Sequence, residues 1–219
     1  MNADRHDQLR AAYAAGALDP ALALMLETQA ALSPRAARDL ALADELSGVF
    51  LEQQAPTPLA PEALERTFAR ITAVPAQSPA APQRTREPLY ADDLRAFPEG
   101  LRTLALEAAA ARGWKFAGRG IRSLVIDTGG EAMAEILRIA PGAAAPEHTH
   151  SGEEYTLVLT GAFHDDAGLY RPGDIAIADP RITHRPTAEP GAVCYSFAVT
   201  DGPLKFTGAM GLLTKLWRN

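Results

Sequence analysis

The sequence predicts a protein that is α+β by domain: an N-terminal all-α domain of four helices, linked to a C-terminal all-β domain folded as a barrel or sandwich. Two observations predict this division. Alanine, leucine, glutamate and arginine dominate up to residue 72, whereas short β-branched or alternating runs separated by Gly and Pro turns fill 89–219. Between them, 73–88 is rich in proline. The predicted domains are therefore 1–72 and 89–219, joined by a linker.

Helix boundaries in the first domain are marked by capping residues. Asp19-Pro20 and Ser33-Pro34 each place an N-cap residue before a proline at the first helical position, and Gly16 is expected to end the first helix. The second and third helices carry more apolar residues than a short bundle can bury, so we expect a partner to cover some of their apolar surface. The predicted helices span 5–15, 20–32, 34–52 and 61–72.

The second domain is predicted to consist of short strands with turns at regular spacing. Gly-Gly and Pro-Gly pairs separate the runs, which is typical of an all-β sandwich or barrel. A single helix over 101–112 is expected to pack at its edge. The predicted strands cover 121–127, 131–139, 154–160, 174–179 and 193–199.

Composition excludes several classes of function. The chain has 21 basic and 27 acidic residues, a net charge of −6, so it lacks the electrostatic footprint of a protein that binds nucleic acid directly. One cysteine, Cys194, excludes an intramolecular disulfide framework, and as a lone thiol on a strand it is expected to serve packing. No apolar run is long enough for a membrane span and no signal-peptide pattern opens the chain, so we expect a cytoplasmic protein.

The most informative stretch is residues 142–161, GAAAPEHTHSGEEYTLVLTG. His148 and His150 are two residues apart, so on a strand both imidazoles face the same side. Glu154 has an even spacing from them on a strand that resumes after a turn. The three side chains converge if that turn folds back.

This stretch and a second one resemble the two-motif signature of the cupin superfamily. The first motif, G-x5-H-x-H-x3-E-x6-G, matches without a gap. The second, RPGDIAIADPRITH (171–184), departs from the commonest form because it lacks an Asn after the last His. The resemblance implies a jelly-roll barrel that holds one divalent metal on His148, His150, Glu154 and His184. Such ligands suit Zn, Fe, Mn or Ni without choosing among them; a closed tetrahedral site would indicate structural zinc, and an open hydrated one catalytic Fe or Mn.

Other polar residues near the motifs are assigned no role in the site. His164 lies outside both motifs and is expected to be an exposed strand residue. Glu147 and Glu153 flank the ligands but are expected to point to the solvated face. His6 is expected to precede the first helix as a solvated or capping residue.

Nearly the whole chain resembles the ChrR family of anti-sigma factors. AAYAAGALDPALALMLETQAALSP (11–34) resembles the family's anti-sigma domain, while TGGEAMAEILRIAPG (128–142), HTHSGEEYTLVLTGAF (148–163) and YRPGDIAIADPRITHRP (170–186) resemble its cupin-like domain. The resemblance implies that the helical domain binds an extracytoplasmic-function sigma factor and occludes its polymerase-binding surfaces. It also implies that the cupin-like domain is needed for the response to singlet oxygen and related oxidants, and that zinc is the metal.

The sequence departs from the family at one set of positions. The anti-sigma domain's zinc set normally includes an H-x3-C-x2-C run, and the matching positions here are Gln29, Ser33 and Ala36. None of these side chains ligates zinc well, so we expect the helical domain to hold no metal. The expected metal is then a single ion in the cupin-like domain, zinc first, with Fe, Mn or Ni as alternatives.

Three hypotheses follow for the function. The favoured one is a regulator without catalytic residues: an anti-sigma factor whose metal-bearing domain senses an oxidant or small ligand. The alternative is a cupin metalloenzyme, dioxygenase-like, with a helical oligomerisation arm, because metal with an open position supports oxygen chemistry. A storage or sugar-binding cupin ranks last because it leaves the helices unexplained. A homodimer stays open under each hypothesis.

Overall fold

The helices occupy the first half of the chain in a computed structural model that describes residues 2–73, 87–201 and 204–206. The four predicted N-terminal helices are confirmed to within a few residues, although His6 lies inside the first helix and not before it. Most of the predicted linker falls outside the described residues. No described helix has the length and apolar character that crossing a membrane requires. The helices are α1 (Asn2–Ala14), α2 (Pro20–Leu32), α3 (Pro34–Glu52), α4 (Ala63–Ala73), α5 (Ala91–Arg95) and α6 (Glu99–Ala111).

The predicted capping residues fix where α2 and α3 begin. The Asp19 carboxylate accepts a hydrogen bond from the Ala21 N–H at 2.8 Å, and the Ser33 hydroxyl accepts one from the Ala36 N–H at 3.3 Å. Gly16 has a φ of +65°, the left-handed conformation that a residue after a helix end commonly adopts. Local sequence chemistry therefore sets these boundaries.

The strands that follow pair antiparallel and form the predicted all-β domain. A six-stranded sheet has the order β1-β2-β3-β10-β5-β8, a three-stranded sheet has the order β7-β6-β9, and β11 pairs with β4. The five predicted strands correspond to β2, β3, β5, β8 and β10; the shorter ones have too few residues to show a period. The strands are β1 (Lys115–Gly118), β2 (Ile121–Ile126), β3 (Met133–Ile139), β4 (His148–His150), β5 (Glu154–Thr160), β6 (Phe163–Asp165), β7 (Gly168–Tyr170), β8 (Ile175–Ala178), β9 (Thr187–Ala188), β10 (Cys194–Thr200) and β11 (Leu204–Phe206).

The two faces of the six-stranded sheet have different environments. Leu157 and Phe197, directly opposite each other on β5 and β10, lie in a core shared with the helices. Their strand neighbours point to the opposite face, where Val158 and Cys194 belong to a second apolar cluster inside the barrel. Burial raises the pKa of the Cys194 thiol to about 12, which fits its predicted packing role. The face inside the barrel is the one that carries the motif residues.

Helices α2 and α6 lie against the outer face of the sheet. Met25 and Leu26 of α2 and Leu101 of α6 are buried in the same core as the outward residues of β5 and β10. Helix α6 matches the predicted helix over 101–112, and it packs on α2 and on β2, the strand next to the edge of the sheet. The helices and the barrel thus share one hydrophobic core.

Candidate metal centre

Two short backbone pairings bring the motif residues together. His148 and His150 flank one residue of β4, and Glu154 opens β5 after a three-residue connection. His184 reaches them through an isolated antiparallel bridge to His148, in which each backbone N–H donates to the other residue's carbonyl at 3.0–3.1 Å. All three imidazoles are buried. The structure therefore brings all four sequence-predicted residues to one place.

The ligand atoms of these residues converge. One nitrogen or oxygen from each of His148, His150, Glu154 and His184 lies within 4.8 Å of the others. Nε2 of His184 is 3.1 Å from Nε2 of His150 and 3.1 Å from Nε2 of His148. Nitrogens bound to one tetrahedral zinc at about 2.0–2.1 Å would lie about 3.3 Å apart, close to these distances. Within the described residues, this is the only such convergence of three or more His, Cys, Asp or Glu side chains.

Hydrogen bonds outside the cluster fix how two of the rings present their nitrogens. Nδ1 of His148 donates to the Pro146 carbonyl at 2.7 Å, and Nδ1 of His184 donates to Asp165 Oδ2 at 3.3 Å. Each ring, when neutral, then has its lone pair on Nε2. The Nε2 lone pairs of His148 and His184 then face each other at 3.1 Å and repel each other. A positive charge between the two nitrogens removes this repulsion.

Electrostatics inside the cluster disfavour a proton as that charge. Burial, reinforced by the neighbouring histidines, lowers the pKa of His150 to about 4 and also lowers the pKa of His148. Burial raises the pKa of Glu154, and His184 and the Thr156 hydroxyl only partly oppose this shift. Protonation of His148 and His150 is therefore disfavoured, and both rings lie close to a buried carboxyl group.

The donor set fits a divalent metal ion. Nδ1 of His150 is buried without a hydrogen-bond partner among the described residues and lies 3.6 Å from Glu154 Oε2. A cation bound by the cluster would stabilise the Glu154 carboxylate and separate the imidazole lone pairs. Three histidines and one carboxylate suit zinc and also Fe, Mn or Ni.

The residues to which the sequence assigned no role have different outcomes. His164 is half exposed on β6, as predicted, where it pairs with Glu189. Glu147 is exposed, but Glu153 forms an ion pair with Arg5 of α1 instead of facing only solvent. Sequence reasoning missed Asp165, which orients His184 from 19 residues away along the chain. Nothing local in the sequence marks that pairing.

A polar stretch of the barrel interior lies beside the four residues. Ser123 donates a hydrogen bond to Glu135, and burial raises the pKa of that carboxyl. Thr200, opposite Glu154 in the sheet, and Ser196 each have a buried hydroxyl oxygen without a hydrogen-bond partner among the described residues. Buried polar atoms of this kind need water or a ligand as partner. The interior therefore has groups that can bind a small polar molecule.

Comparisons with known proteins agree with this architecture. A family model described as the ChrR Cupin-like domain matches residues 104–205. The anti-sigma-E factor ChrR of Cereibacter sphaeroides is 36% identical over 212 residues, which cover 95% of this chain and 94% of that protein. ChrR in the crystal structure of Rhodobacter sphaeroides SigE in complex with the anti-sigma ChrR is also similar. That match has 34% sequence identity and a TM-score of 0.68, covering 89% of this chain and 96% of that chain.

Proposed function

Because the chain belongs to the ChrR family of anti-sigma factors, we propose that it binds an extracytoplasmic-function sigma factor in the cytoplasm and keeps it from RNA polymerase. The observation that carries the proposal is the apolar surface that α3 and α4 leave exposed in the isolated chain. Helix α4 has no buried residue, yet Leu64, Phe68 and Ile71 recur at i, i+4 and i+7 on one face. These three side chains are 57–63% exposed. An amphipathic helix of this kind is suited to bury its apolar face against a partner.

The exposed face of α3 has the same character. Leu42, Leu46, Val49 and Phe50 recur at helical spacing and are 51–67% exposed. Sequence analysis predicted surplus apolar surface on the second and third helices. In the structure, the barrel and α6 cover much of α2, whereas this half of α3 stays open. The helical domain, with 10 acidic and 6 basic residues over 1–72, also suits a basic partner surface.

In this proposal, the metal centre would act as the sensor. A divalent ion, zinc first, would be held by His148, His150, Glu154 and His184, and would supply a compact charged centre that oxidation or ligand binding can disturb. Glu153, next to the ligand Glu154, forms an ion pair with Arg5 of α1. A change in how Glu154 is bound would therefore occur one residue away from a contact between the barrel and the helical domain. We propose that an oxidant or small ligand acts through this contact to weaken sigma binding.

Transcription by purified components tests the proposal. Each extracytoplasmic-function sigma factor of the host would be combined with RNA polymerase and a cognate promoter, and the chain titrated in. We expect stoichiometric inhibition of one of them. A folded chain that inhibits none of them would refute the anti-sigma function.

Two variants test the division of labour between the domains. Replacing His148 or Glu154 with Ala should abolish metal binding and blunt release by oxidant, while leaving inhibition of the sigma factor largely intact. Metal content by mass spectrometry and the same transcription assay give the two readouts. Loss of sigma inhibition in the metal-free variants would contradict the proposed division.

A second candidate function, small-molecule binding or conversion in the barrel, is favoured by the unpartnered hydroxyls of Ser196 and Thr200. The same centre could act on a small molecule there as in a cupin dioxygenase. Incubation of the metal-loaded chain with small polar compounds, followed by mass spectrometry, distinguishes the two. Turnover would establish an enzyme, whereas binding without turnover would make the compound a regulatory ligand.

A further inference from the structure

We propose that helices α1–α3 contain no metal and keep their fold because they are docked on the outside of the barrel. The barrel then takes the structural role that the family resemblance assigns to zinc in the helical domain. This inference concerns how the helices are held together and does not depend on sigma binding.

The three positions where the family carries zinc ligands have no ligand chemistry left. The Gln29 side chain is buried and donates its amide N–H to the Gly173 carbonyl of the barrel at 2.9 Å. The Ser33 hydroxyl accepts the hydrogen bond that caps α3, and Ala36 has no donor atom. None supplies the anionic sulfur or imidazole nitrogen that a structural zinc site needs. Gln29 instead binds the barrel through its hydrogen bond to Gly173.

The helices have little core of their own. Helix α3 buries a single residue, Ala36. The large apolar side chains that α1 and α2 bury, Leu9, Met25 and Leu26, all belong to the core that includes the outer face of the sheet. A short bundle without a metal or a disulfide gains only marginal stability from its own contacts. Burial against the sheet supplies the missing apolar contacts.

A carboxylate joins the start of α2 to a loop of the barrel. Asp19 Oδ1 accepts from the Ala21 N–H and caps α2, while Oδ2 accepts from the N–H groups of Glu131 and Ala132 at 2.9 and 3.2 Å. One side chain thus satisfies both the helix end and the loop before β3. The sequence pattern predicted the cap but gave no indication of the second role.

Two glycines let the barrel loops approach the helices closely. A Cβ atom at Gly130 would lie 2.6 Å from the Asp19 carboxylate oxygens and 2.8 Å from Cδ of Pro20, distances that force a shift. A Cβ at Gly173 would lie 3.4 Å from Cβ of Ser33. The docked position of α2 therefore depends on the absence of a side chain at Gly130.

Hydrogen–deuterium exchange on the full-length chain tests the inference. Gly130→Ala should push α2 off the loop, and exchange of the amides in α1 and α2 should become at least about tenfold faster while β5 and β10 keep their protection. Asp19→Asn is measured in parallel because it adds no bulk. It retains an oxygen for one of the two contacts but places an NH2 group at the other. We expect the same helices to lose protection.

Asp127→Asn is the matched control. Asp127 lies in the same loop region, where it accepts a hydrogen bond from the Gly129 N–H and pairs with Arg112 at the end of α6, and not with α1 or α2. It should leave exchange in α1 and α2 unchanged. Full protection of α1 and α2 in both Gly130→Ala and Asp19→Asn would overturn the inference, because the helices would then hold their own fold.

Metal content gives an independent readout. His148→Ala/His184→Ala, equilibrated with zinc and dialysed, should retain no zinc. One equivalent that remains in this double variant, and also after His150 and Glu154 are replaced with Ala, would show a metal outside the barrel cluster and would refute the inference. Neither measurement involves a sigma factor, so failure here leaves the proposed function untouched.

Discussion

Phe68 is the side chain whose replacement most directly tests the docking role of α4. It lies between Leu64 and Ile71 on the exposed apolar face of the helix and is 57% exposed. Phe68→Ala removes the ring without removing a buried contact, because α4 has no buried residue. Alanine is also the better helix former. The stability of the free chain should therefore stay the same, and only partner binding should change.

The size of the effect follows from the exposed fraction. Full burial of a Phe side chain contributes about 1.5–3 kcal/mol, so the 57% of Phe68 still available for burial corresponds to about 0.9–1.7 kcal/mol. At about 1.4 kcal/mol per factor of ten, Phe68→Ala should weaken sigma binding roughly fourfold to twentyfold. Isothermal titration calorimetry with the inhibited sigma factor measures the change in Kd.

Phe116→Ala provides the matched control. Phe116 is on β1, at the edge of the barrel sheet, and is 77% exposed, more than Phe68. If exposure alone controlled binding, this variant would have the larger effect, whereas we expect none. An unchanged Kd for Phe68→Ala, or equal losses for the two variants, would refute the assignment of α4 as a docking face.

Three further predictions concern the metal centre, the cysteine and the helix dock. Asp165→Asn should lower zinc affinity by roughly tenfold or more in a competition assay, because the weaker acceptor orients His184 less well; Glu189→Gln, the same change beside the exposed His164, should have no effect. Cys194 should not react with a thiol reagent at pH 8 in the folded chain and should react after unfolding, since burial raises its pKa to about 12; rapid labelling of the native protein would contradict this. Burial acts to raise the pKa of Asp19, but hydrogen bonds from three backbone N–H groups outweigh it and hold the pKa below the usual 3.8. Protection of α2 in hydrogen exchange, corrected for the intrinsic rate, should therefore be constant above about pH 4 and fall as the pH drops further. Protection independent of pH down to acid unfolding would contradict it.

The four residues of the candidate metal site could be predicted from the sequence because their geometry is mostly local. His148 and His150 share a face through the period of a strand, and Glu154 follows after a short turn. His184 is predicted from its position at the end of the second cupin-like motif. The structure brings these four residues together, with nitrogen distances close to those of a tetrahedral site.

The residues that support the centre could not be predicted in the same way. Asp165 meets His184 only because β6 belongs to the sheet that faces the histidines. Glu153 was expected in solvent, since alternation correctly turns it away from the ligands but does not reveal that α1 lies on that side. Each of these contacts joins segments that are far apart in the chain, so no periodic pattern in the sequence predicts it.

The sequence by itself determined the helix boundaries, the main strands and the residues of the candidate metal site, because capping hydrogen bonds, strand alternation and motif spacing act over a few residues. Only the tertiary structure decided how the two parts of the chain meet. Asp19 shows the difference: its cap on α2 follows from the Asp-Pro pair, whereas its bonds to Glu131 and Ala132 require the fold to bring a loop more than a hundred residues away to the same carboxylate. Contacts between distant segments form only once the shared core has fixed both surfaces, so no local pattern encodes them.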